Sequence, residues 1–185
     1  MKFPVLKTER LILSEILESD TDAIFSLFRN ESVIEYYDLE AFEETSQAKK
    51  LIALFKTRFE SELGIRWGIR EKEKNTLIGT CGFNSWVIPM KSAVIGYDLD
   101  PKYWGKGIAK EAVNEILKAA FSGALPCGPI HRIQADTVPG NEASERLLLT
   151  LGFQLEGLRR ESGYWKKDFH DLKCFGLLAY ENEKT

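Results

Sequence analysis

Two glycines flank a lysine at Gly105-Lys106-Gly107, between an apolar, β-like segment that ends at Leu99 and a helical pattern that begins at Ile108. A glycine adopts positive φ angles easily and leaves the backbone N–H groups open, because it has no side chain to hold a ligand away. The first turn of a helix offers free N–H groups and the positive end of the helix dipole. The loop therefore favours a phosphate or pyrophosphate, although two glycines before a helix also form plain turns.

The spacing of this loop disfavours two familiar nucleotide-binding motifs. A Walker A loop requires G-x-x-x-x-G-K-[ST], which the sequence lacks, and a dinucleotide-binding loop requires a small residue where Lys110 stands. The loop also follows three predicted strands instead of opening a βαβ unit. Nucleotide hydrolysis and hydride transfer are therefore poor interpretations.

The hydrophobic periodicity predicts elements in the order β-α-α-β-β-β-α-β-α-β-β, which is typical of an α+β domain with a mixed sheet. Apolar residues at three- and four-residue spacing predict helices at 23–28, 48–59, 108–121 and 141–151. β-Branched and aromatic runs predict strands at 10–16, 65–70, 76–85, 93–99, 131–138, 153–160 and 168–178. The three strands between 65 and 99 have short connections, so we expect an antiparallel meander.

Length and composition narrow the class of protein. A chain of 185 residues with 44% hydrophobic and 29% charged residues predicts a single globular domain over 1–185. A net charge of -3 argues against nucleic acid as a partner. The three cysteines, Cys81, Cys127 and Cys174, form no C-x-x-C pair, which disfavours a zinc site or a disulfide framework and fits a cytoplasmic protein. Neither a signal peptide nor a membrane span is indicated.

Five segments together resemble the GNAT superfamily of acetyl-CoA-dependent N-acetyltransferases, and most of all its RimJ/RimL-like branch of ribosomal-protein N-terminal acetyltransferases. They are T-E-R-L-x-L at 8–13, W-x-I with I-G-T-x-G at 67–82, I-G-Y-D-L-x-P-x-Y-W-G-K-G at 95–107, N-x-x-S at 141–144 and G-F-x-L-E-G at 152–157. The resemblance implies a twisted, mostly antiparallel sheet of about seven strands, splayed in the middle and flanked by about four helices.

The resemblance also implies how acetyl-CoA is held, with no metal. Backbone amides of the glycine loop would bind the pyrophosphate, pantetheine would pair with the edge of the strand that ends at Leu99, Asn141 would bind the pantetheine arm, and Ser144 would protonate the departing thiolate. By local pattern alone, Asn141 and Ser144 equally suit a helix N-terminus. The implied cofactor-binding residues are Leu99, Trp104, Gly105, Lys106, Gly107, Ile108, Ala109, Asn141 and Ser144.

The expected reaction is direct attack of an amine on the thioester, with no covalent enzyme intermediate, and the general base is the open question. Relatives carry Glu at the positions of Val94 and Gly163. Asp98 is the first substitute, because two-residue alternation places it on the same face of its strand as Val94. Glu161 is the second, and a water chain that ends at either carboxylate or at a backbone carbonyl is the third.

We expect the acceptor pocket to form from residues around 30–42 and from a loop that contains Tyr164 and Trp165. Tyr36 and Tyr37, with nearby acidic residues, would attract a cationic amine. The candidate acceptors are a protein or peptide N-terminus, a polyamine, an aminoglycoside and an amino-acid-like metabolite. The rival hypothesis is a non-catalytic acyl-CoA sensor or interaction module. Exposed edge strands fit either a monomer or a homodimer.

Overall fold

The computed structural model describes residues 2–182, which form an open sheet of eight strands packed against helices. The strands are β1 (Leu6–Lys7), β2 (Leu11–Glu15), β3 (Ile65–Glu71), β4 (Leu77–Val87), β5 (Ser92–Leu99), β6 (Arg132–Thr137), β7 (Gln154–Trp165) and β8 (Asp168–Leu178). The α-helices are α1 (Thr21–Phe28), α2 (Glu31–Ile34), α3 (Thr45–Glu60), α4 (Ile108–Phe121), α5 (Glu142–Thr150) and α6 (Ala179–Asn182). Short 3-10 turns lie at Glu18–Asp20, Ile88–Met90 and Pro101–Tyr103.

The α+β prediction is confirmed, and so are the seven predicted strands and four predicted helices. The additional elements are β1, α2 and α6, which have two, four and four residues. Segments this short contain no complete hydrophobic period, so periodicity does not detect them.

The order of strands in the sheet is β1-β2-β3-β4-β5-β6-β8-β7, and every neighbouring pair except β5–β6 is antiparallel. The parallel pair β5–β6 has only three register pairs, the last of which joins Val94 to Gln134. Beyond Val94, β5 keeps its pairing with β4 but loses β6. The expected splay is therefore present, and it leaves one edge of β5 open over residues 95–99.

The two faces of the sheet are covered by different helices. Along β3, Ile65, Trp67 and Ile69 belong to the larger core cluster, which includes the buried side of α4, whereas Arg66 and Arg70 face the other way. The second apolar cluster joins α1, α2 and α3. The open edge of β5 is therefore reached by α4 from one side and by the segment after α1 from the other.

Strand β7 is longer than the sequence predicts. It pairs with β8 up to Trp165, and the hairpin turns through Lys166 and Lys167, which adopt φ angles of 49° and 63°. The prediction of a loop at Tyr164 and Trp165 is therefore wrong. Register shifts between Arg159 and Gly163 disturb the strand enough to hide its alternation.

Candidate active site

The splay between β5 and β6 opens a cleft with a volume of about 600 Å³. One end lies at the glycine loop before α4, and we name it the cofactor end. The other end lies between α2, with the residues that follow it, and the tip of the β7–β8 hairpin, and we name it the acceptor end. The two ends meet beside the open edge of β5, at Tyr97 and Ser144.

The cofactor end is built mainly from backbone. Gly105 and Gly107 adopt φ angles of 71° and 73°, a region that residues with a Cβ rarely occupy. Gly107 is the N-cap of α4 and has no side chain to cap it, so the amides of the first turn keep their hydrogen-bonding capacity. These amides lie beside the positive end of the α4 dipole, which makes this spot suitable for a phosphate.

Most of the predicted cofactor-binding residues line this cleft. They are Leu99, Trp104, Gly105, Gly107, Ile108, Ala109, Asn141 and Ser144. Lys106 does not line it, and its ammonium group lies 5.5 Å from the centre of the Tyr103 ring. The prediction for Lys106 therefore concerns its backbone amide. Lys110, in the first turn of α4, does line the cleft and was not predicted as a binding residue.

Asn141 and Ser144 form the start of α5. The Asn141 side-chain oxygen accepts a hydrogen bond from the Ser144 N–H at 3.3 Å, so Asn141 is an N-cap as its local sequence suggests. The Ser144 hydroxyl lies 2.7 Å from the Tyr97 hydroxyl. Ser144 is thus held from two sides, by the cap and by a phenol on β5.

Tyr97 is a site residue that sequence reasoning missed. Burial raises the pKa of its phenol to about 12, and the hydrogen bond with Ser144 lowers it only in part. Tyr97 therefore stays protonated near neutral pH and can donate to the Ser144 oxygen. The available signal was the two-residue spacing that places Tyr97 on the same face of β5 as Leu99, which was predicted to bind the cofactor.

Asp98 lines the cleft, but its carboxylate is already fully engaged. It is paired with Arg66, accepts from the Tyr37 hydroxyl at 3.0 Å, and both of its oxygens lie 3.0 Å from the Thr80 hydroxyl. The side chains of Asp98 and Arg66 are only 2% and 4% exposed. These contacts favour a role in holding buried positive charge over the predicted role of Asp98 as general base.

Arg66 completes this buried network. Burial alone would lower the pKa of its guanidinium, but Tyr37 and Asp98 together raise it above the usual value. Burial and the negative charge of Asp98 raise the pKa of Tyr37, although Arg66 opposes this. The group as a whole is a charged arginine, a carboxylate and a neutral phenol. It ties the floor of the cleft to the segment after α2.

The acceptor end contains three of the four aromatic residues that were named for it in the sequence. Tyr37 lines the cleft, and so does Tyr36, whose hydroxyl donates to the Gly140 carbonyl at 3.1 Å. Trp165 forms part of the wall. Tyr164 lies outside the lining, where its ring packs at a tilted angle against Phe169 and is 63% exposed.

Gly163 makes room for the Trp165 indole. A Cβ at Gly163 would lie 2.0 Å from Trp165 Cζ3, so the ring rests directly on the glycine. The other contact of the ring is His170, which stacks on it at 4.1 Å with an interplanar angle of 12°. The space beside Gly163 is thus filled by an aromatic wall. The tip of the hairpin is fastened to α2 by Lys166, whose ammonium group donates to the Ile34 carbonyl at 2.6 Å.

The remaining candidates for a base or a nucleophile lie outside the lining of the cleft. Glu161 is exposed on the irregular part of β7, where its N–H donates to Asp171 at 2.8 Å. Burial raises the pKa of the Cys81 thiol to about 12 and that of Cys127 to about 11. Cys174 accepts from Arg159 Nε at 3.0 Å. The two thiols with a raised pKa, Cys81 and Cys127, are not activated nucleophiles, and Cys174 lies outside the lining of the cleft.

Within residues 2–182, no group of three or more His, Cys, Asp and Glu side chains is arranged to hold a metal ion. In the same part of the chain, no helix has the length and apolarity that crossing a membrane requires.

Comparisons with known proteins agree with the geometry of this cleft. A family model described as an acetyltransferase (GNAT) domain matches residues 10–154. The chain is 38% identical over 176 residues to the uncharacterised N-acetyltransferase YoaA of Bacillus subtilis, covering 95% of this chain and 97% of the relative.

Two solved structures have the same fold at low sequence identity. RimL, a ribosomal L7/L12 alpha-N-protein acetyltransferase, superposes with a TM-score of 0.85 at 20% identity, covering 96% of each chain. A spermidine N-acetyltransferase from Vibrio cholerae, in complex with CoA and spermine, superposes with a TM-score of 0.80 at 20% identity, covering 95% of this chain and 99% of that one. Identities this low establish similarity of fold alone.

Proposed function

Because the chain belongs to the GNAT acetyltransferase family and is an acetyl-CoA-dependent N-acetyltransferase, we propose that it transfers the acetyl group directly to a primary amine held in the acceptor end. The observation that carries this proposal is the continuous cleft, which joins a phosphate-binding loop to an aromatic and acidic pocket. Both substrates therefore fit at the same time, as a ternary complex requires. The unactivated thiols support transfer without a covalent enzyme intermediate.

In the proposed complex, the pyrophosphate of acetyl-CoA contacts backbone amides between Gly105 and Ala109. The pantetheine arm extends along the open edge of β5 and adds to the sheet like another strand. The oxygen of Asn141 is used by its cap, which leaves its NH₂ group to donate to a pantetheine carbonyl. Lys110 adds positive charge beside the phosphates.

The reaction is proposed to occur beside Tyr97 and Ser144. The amine nitrogen attacks the thioester carbonyl, an N–C bond forms, and the C–S bond breaks as the tetrahedral intermediate collapses. Backbone N–H groups on the open edge of β5 stabilise the developing oxyanion. Ser144 gives its hydroxyl proton to the departing thiolate and regains a proton from water. Tyr97, as the donor to the Ser144 oxygen, keeps that proton directed at the sulfur.

The proton lost by the amine is proposed to leave through water, because Asp98 is engaged with Arg66. This route favours an acceptor with a low pKa. An α-amino group with a pKa of about 7.7 to 8.0 is roughly one tenth neutral at pH 7, whereas a lysine side chain near 10.4 is neutral in only about one molecule in 2,500. We therefore infer that the acceptor is the α-amino group of a protein, peptide or amino-acid-like molecule.

A polyamine is the second candidate acceptor. Glu35 and Asp38 line the acceptor end. Carboxylates beside the aromatic rings of Tyr36 and Trp165 suit a substrate with more than one cationic group. The solved spermidine acetyltransferase has this fold, and so does RimL, so the fold alone does not decide between the two candidates.

A thiol-release assay tests the proposed function. The purified protein is mixed with acetyl-CoA and one of three acceptors. The first is a set of lysine-containing peptides with a free α-amino group, the second is the same peptides acetylated at the N-terminus, and the third is spermidine. We expect rapid thiol release with free α-amino groups and little with the N-acetylated peptides. Faster release with spermidine would favour the second candidate. Tight CoA binding without amine-dependent release across the panel would support the non-catalytic sensor instead.

A further inference from the structure

Arg10, which directly precedes β2, connects the edge of the sheet to the cofactor end of the cleft. Its Nε donates to Glu111 Oε2 at 2.6 Å, and its Nη1 donates to the Lys106 carbonyl oxygen at 3.0 Å. Its backbone N–H donates to Glu111 Oε1 at 2.9 Å, and the Thr8 hydroxyl donates to the same oxygen. Glu111 thus fixes the guanidinium, and the guanidinium fixes a carbonyl inside the glycine loop.

The Glu111 carboxylate remains charged in this setting. Burial raises the pKa of Glu111, but the hydrogen bonds from Thr8 and Arg10 together outweigh that effect and lower the pKa below its usual value. Glu111 also lies in the first turn of α4, where a negative charge is favourable. The pair therefore persists at neutral pH.

The bond to the Lys106 carbonyl sets the orientation of one peptide group. The peptide between Lys106 and Gly107 is trans, so its C=O and N–H bonds point in opposite directions. Because Arg10 holds the C=O, the Gly107 N–H faces away from Arg10. Gly107 lines the cleft, and within residues 2–182 its N–H donates to no carbonyl or side chain. One backbone donor is thereby left aimed at the cofactor end.

We propose that Arg10 is a positioning residue for acetyl-CoA, which orients the Lys106–Gly107 peptide so that the Gly107 N–H donates to the pyrophosphate. This inference rests on the cofactor site proposed above. Arg10 Nη2 lies 3.6 Å from the place that a Cβ of Gly107 would take, so the guanidinium lies close beside the backbone of that residue. Arg10 acts through the loop and is not itself a phosphate ligand.

The test measures how tightly Arg10 variants bind CoA and two truncated forms of it, by calorimetry or tryptophan fluorescence. Arg10→Gln is expected to weaken CoA and dephospho-CoA about tenfold each, which is the effect of losing one well-placed hydrogen bond to a charged group. Pantetheine, which has no pyrophosphate, should bind unchanged. With an active acceptor, the KM for acetyl-CoA should rise about tenfold while kcat stays within twofold.

Two further variants control for folding. Arg10→Lys keeps the charge but lacks the planar fork, so it should lose several-fold in CoA affinity while remaining as stable as the parent protein. Arg132→Gln breaks another arginine–glutamate pair, between Arg132 and Glu156, that lies away from the cleft. It should leave CoA affinity unchanged.

Three results would overturn the inference. The first is an unchanged CoA affinity in Arg10→Gln. The second is an equal loss of affinity for pantetheine, which would indicate general damage to the protein. The third is a loss of affinity for CoA but not for dephospho-CoA, which would indicate that Arg10 contacts the 3′-phosphate directly. A parent protein that binds no CoA would instead contradict the proposed cofactor site. The two failures are therefore distinguishable.

Discussion

The two ends of the cleft are built in different ways. The cofactor end uses the backbone of one short segment, from Leu99 to Ala109, whose conformation depends on two glycines and on the start of α4. The acceptor end uses side chains from segments far apart in the chain, including Tyr36, Tyr37 and Trp165. A site made of backbone tolerates changes of side chain, whereas a site made of side chains changes whenever one of them does. The first can be common to many enzymes, and the second can differ between them.

The buried pair of Asp98 and Arg66 lies in the floor of the cleft, and its loss gives the largest expected effect. Asp98→Asn would leave a buried guanidinium without its counter-charge, which costs about 3–5 kcal/mol in unfolding free energy. Urea denaturation measures this loss. Binding of the amine should weaken more than binding of CoA, because Tyr37 at the acceptor end loses its hydrogen-bond partner while the glycine loop keeps its contacts.

A matched control separates the structural role of Asp98 from a catalytic one. Asp20→Asn breaks the pair with Arg70, whose side chains are 11% and 10% exposed and lie on the same face of the sheet but outside the lining of the cleft. It should lose stability without losing acceptor binding. If Asp98→Asn were instead as stable as the parent and slower by a factor of about 100 or more, Asp98 would be the general base after all.

The second prediction concerns the backbone at the cofactor end. Gly107→Val forces a β-branched residue to a φ of 73°, at a cost of about 1–3 kcal/mol, or it moves the loop amides away from the pyrophosphate. CoA affinity should fall by about tenfold to a hundredfold in calorimetry. Gly128→Val has the same φ of 73° and open space around the new side chain, so it should cost stability but not CoA affinity. Equal affinities in the two variants would rule out a backbone-built cofactor site.

The sequence predicted the two ends unequally, for physical reasons. The glycine loop and the helix after it are local, so their composition and spacing carry the information. The identity of the acceptor wall depends on a register shift in β7 that turns Trp165 inward and Tyr164 outward, and on a glycine that only the folded hairpin brings beneath the indole. The surroundings of Asp98 were not predicted for a similar reason, because its partner Arg66 lies 32 positions away.

The third prediction concerns the point where the ends meet. Tyr97→Phe removes the hydrogen bond to Ser144, which contributes about 0.5–1.5 kcal/mol, so kcat should fall by about twofold to tenfold with little change in CoA affinity. Because burial raises the pKa of Tyr97 to about 12, its ionisation should produce no change in rate below pH 10. Tyr103→Phe, which removes a hydrogen bond to Glu71 outside the reacting centre, is the matched control. A limb in the pH–rate profile near pH 8 that disappears in Tyr97→Phe would contradict the buried, neutral phenol.

The smallest expected effect distinguishes neighbouring residues at the acceptor end. Trp165→Ala removes the aromatic wall and its contact with a cationic amine, so the KM of the amine should rise by about twofold to fivefold while the KM of acetyl-CoA stays constant. Tyr164→Ala removes an aromatic ring of comparable size from the opposite face of the same strand, so neither KM should change. Since the two residues are adjacent, damage to the hairpin would affect both variants alike. If Tyr164→Ala raised the KM of the amine and Trp165→Ala did not, the acceptor would bind on the exposed face of the hairpin, and the acceptor end would have to be placed outside the cleft.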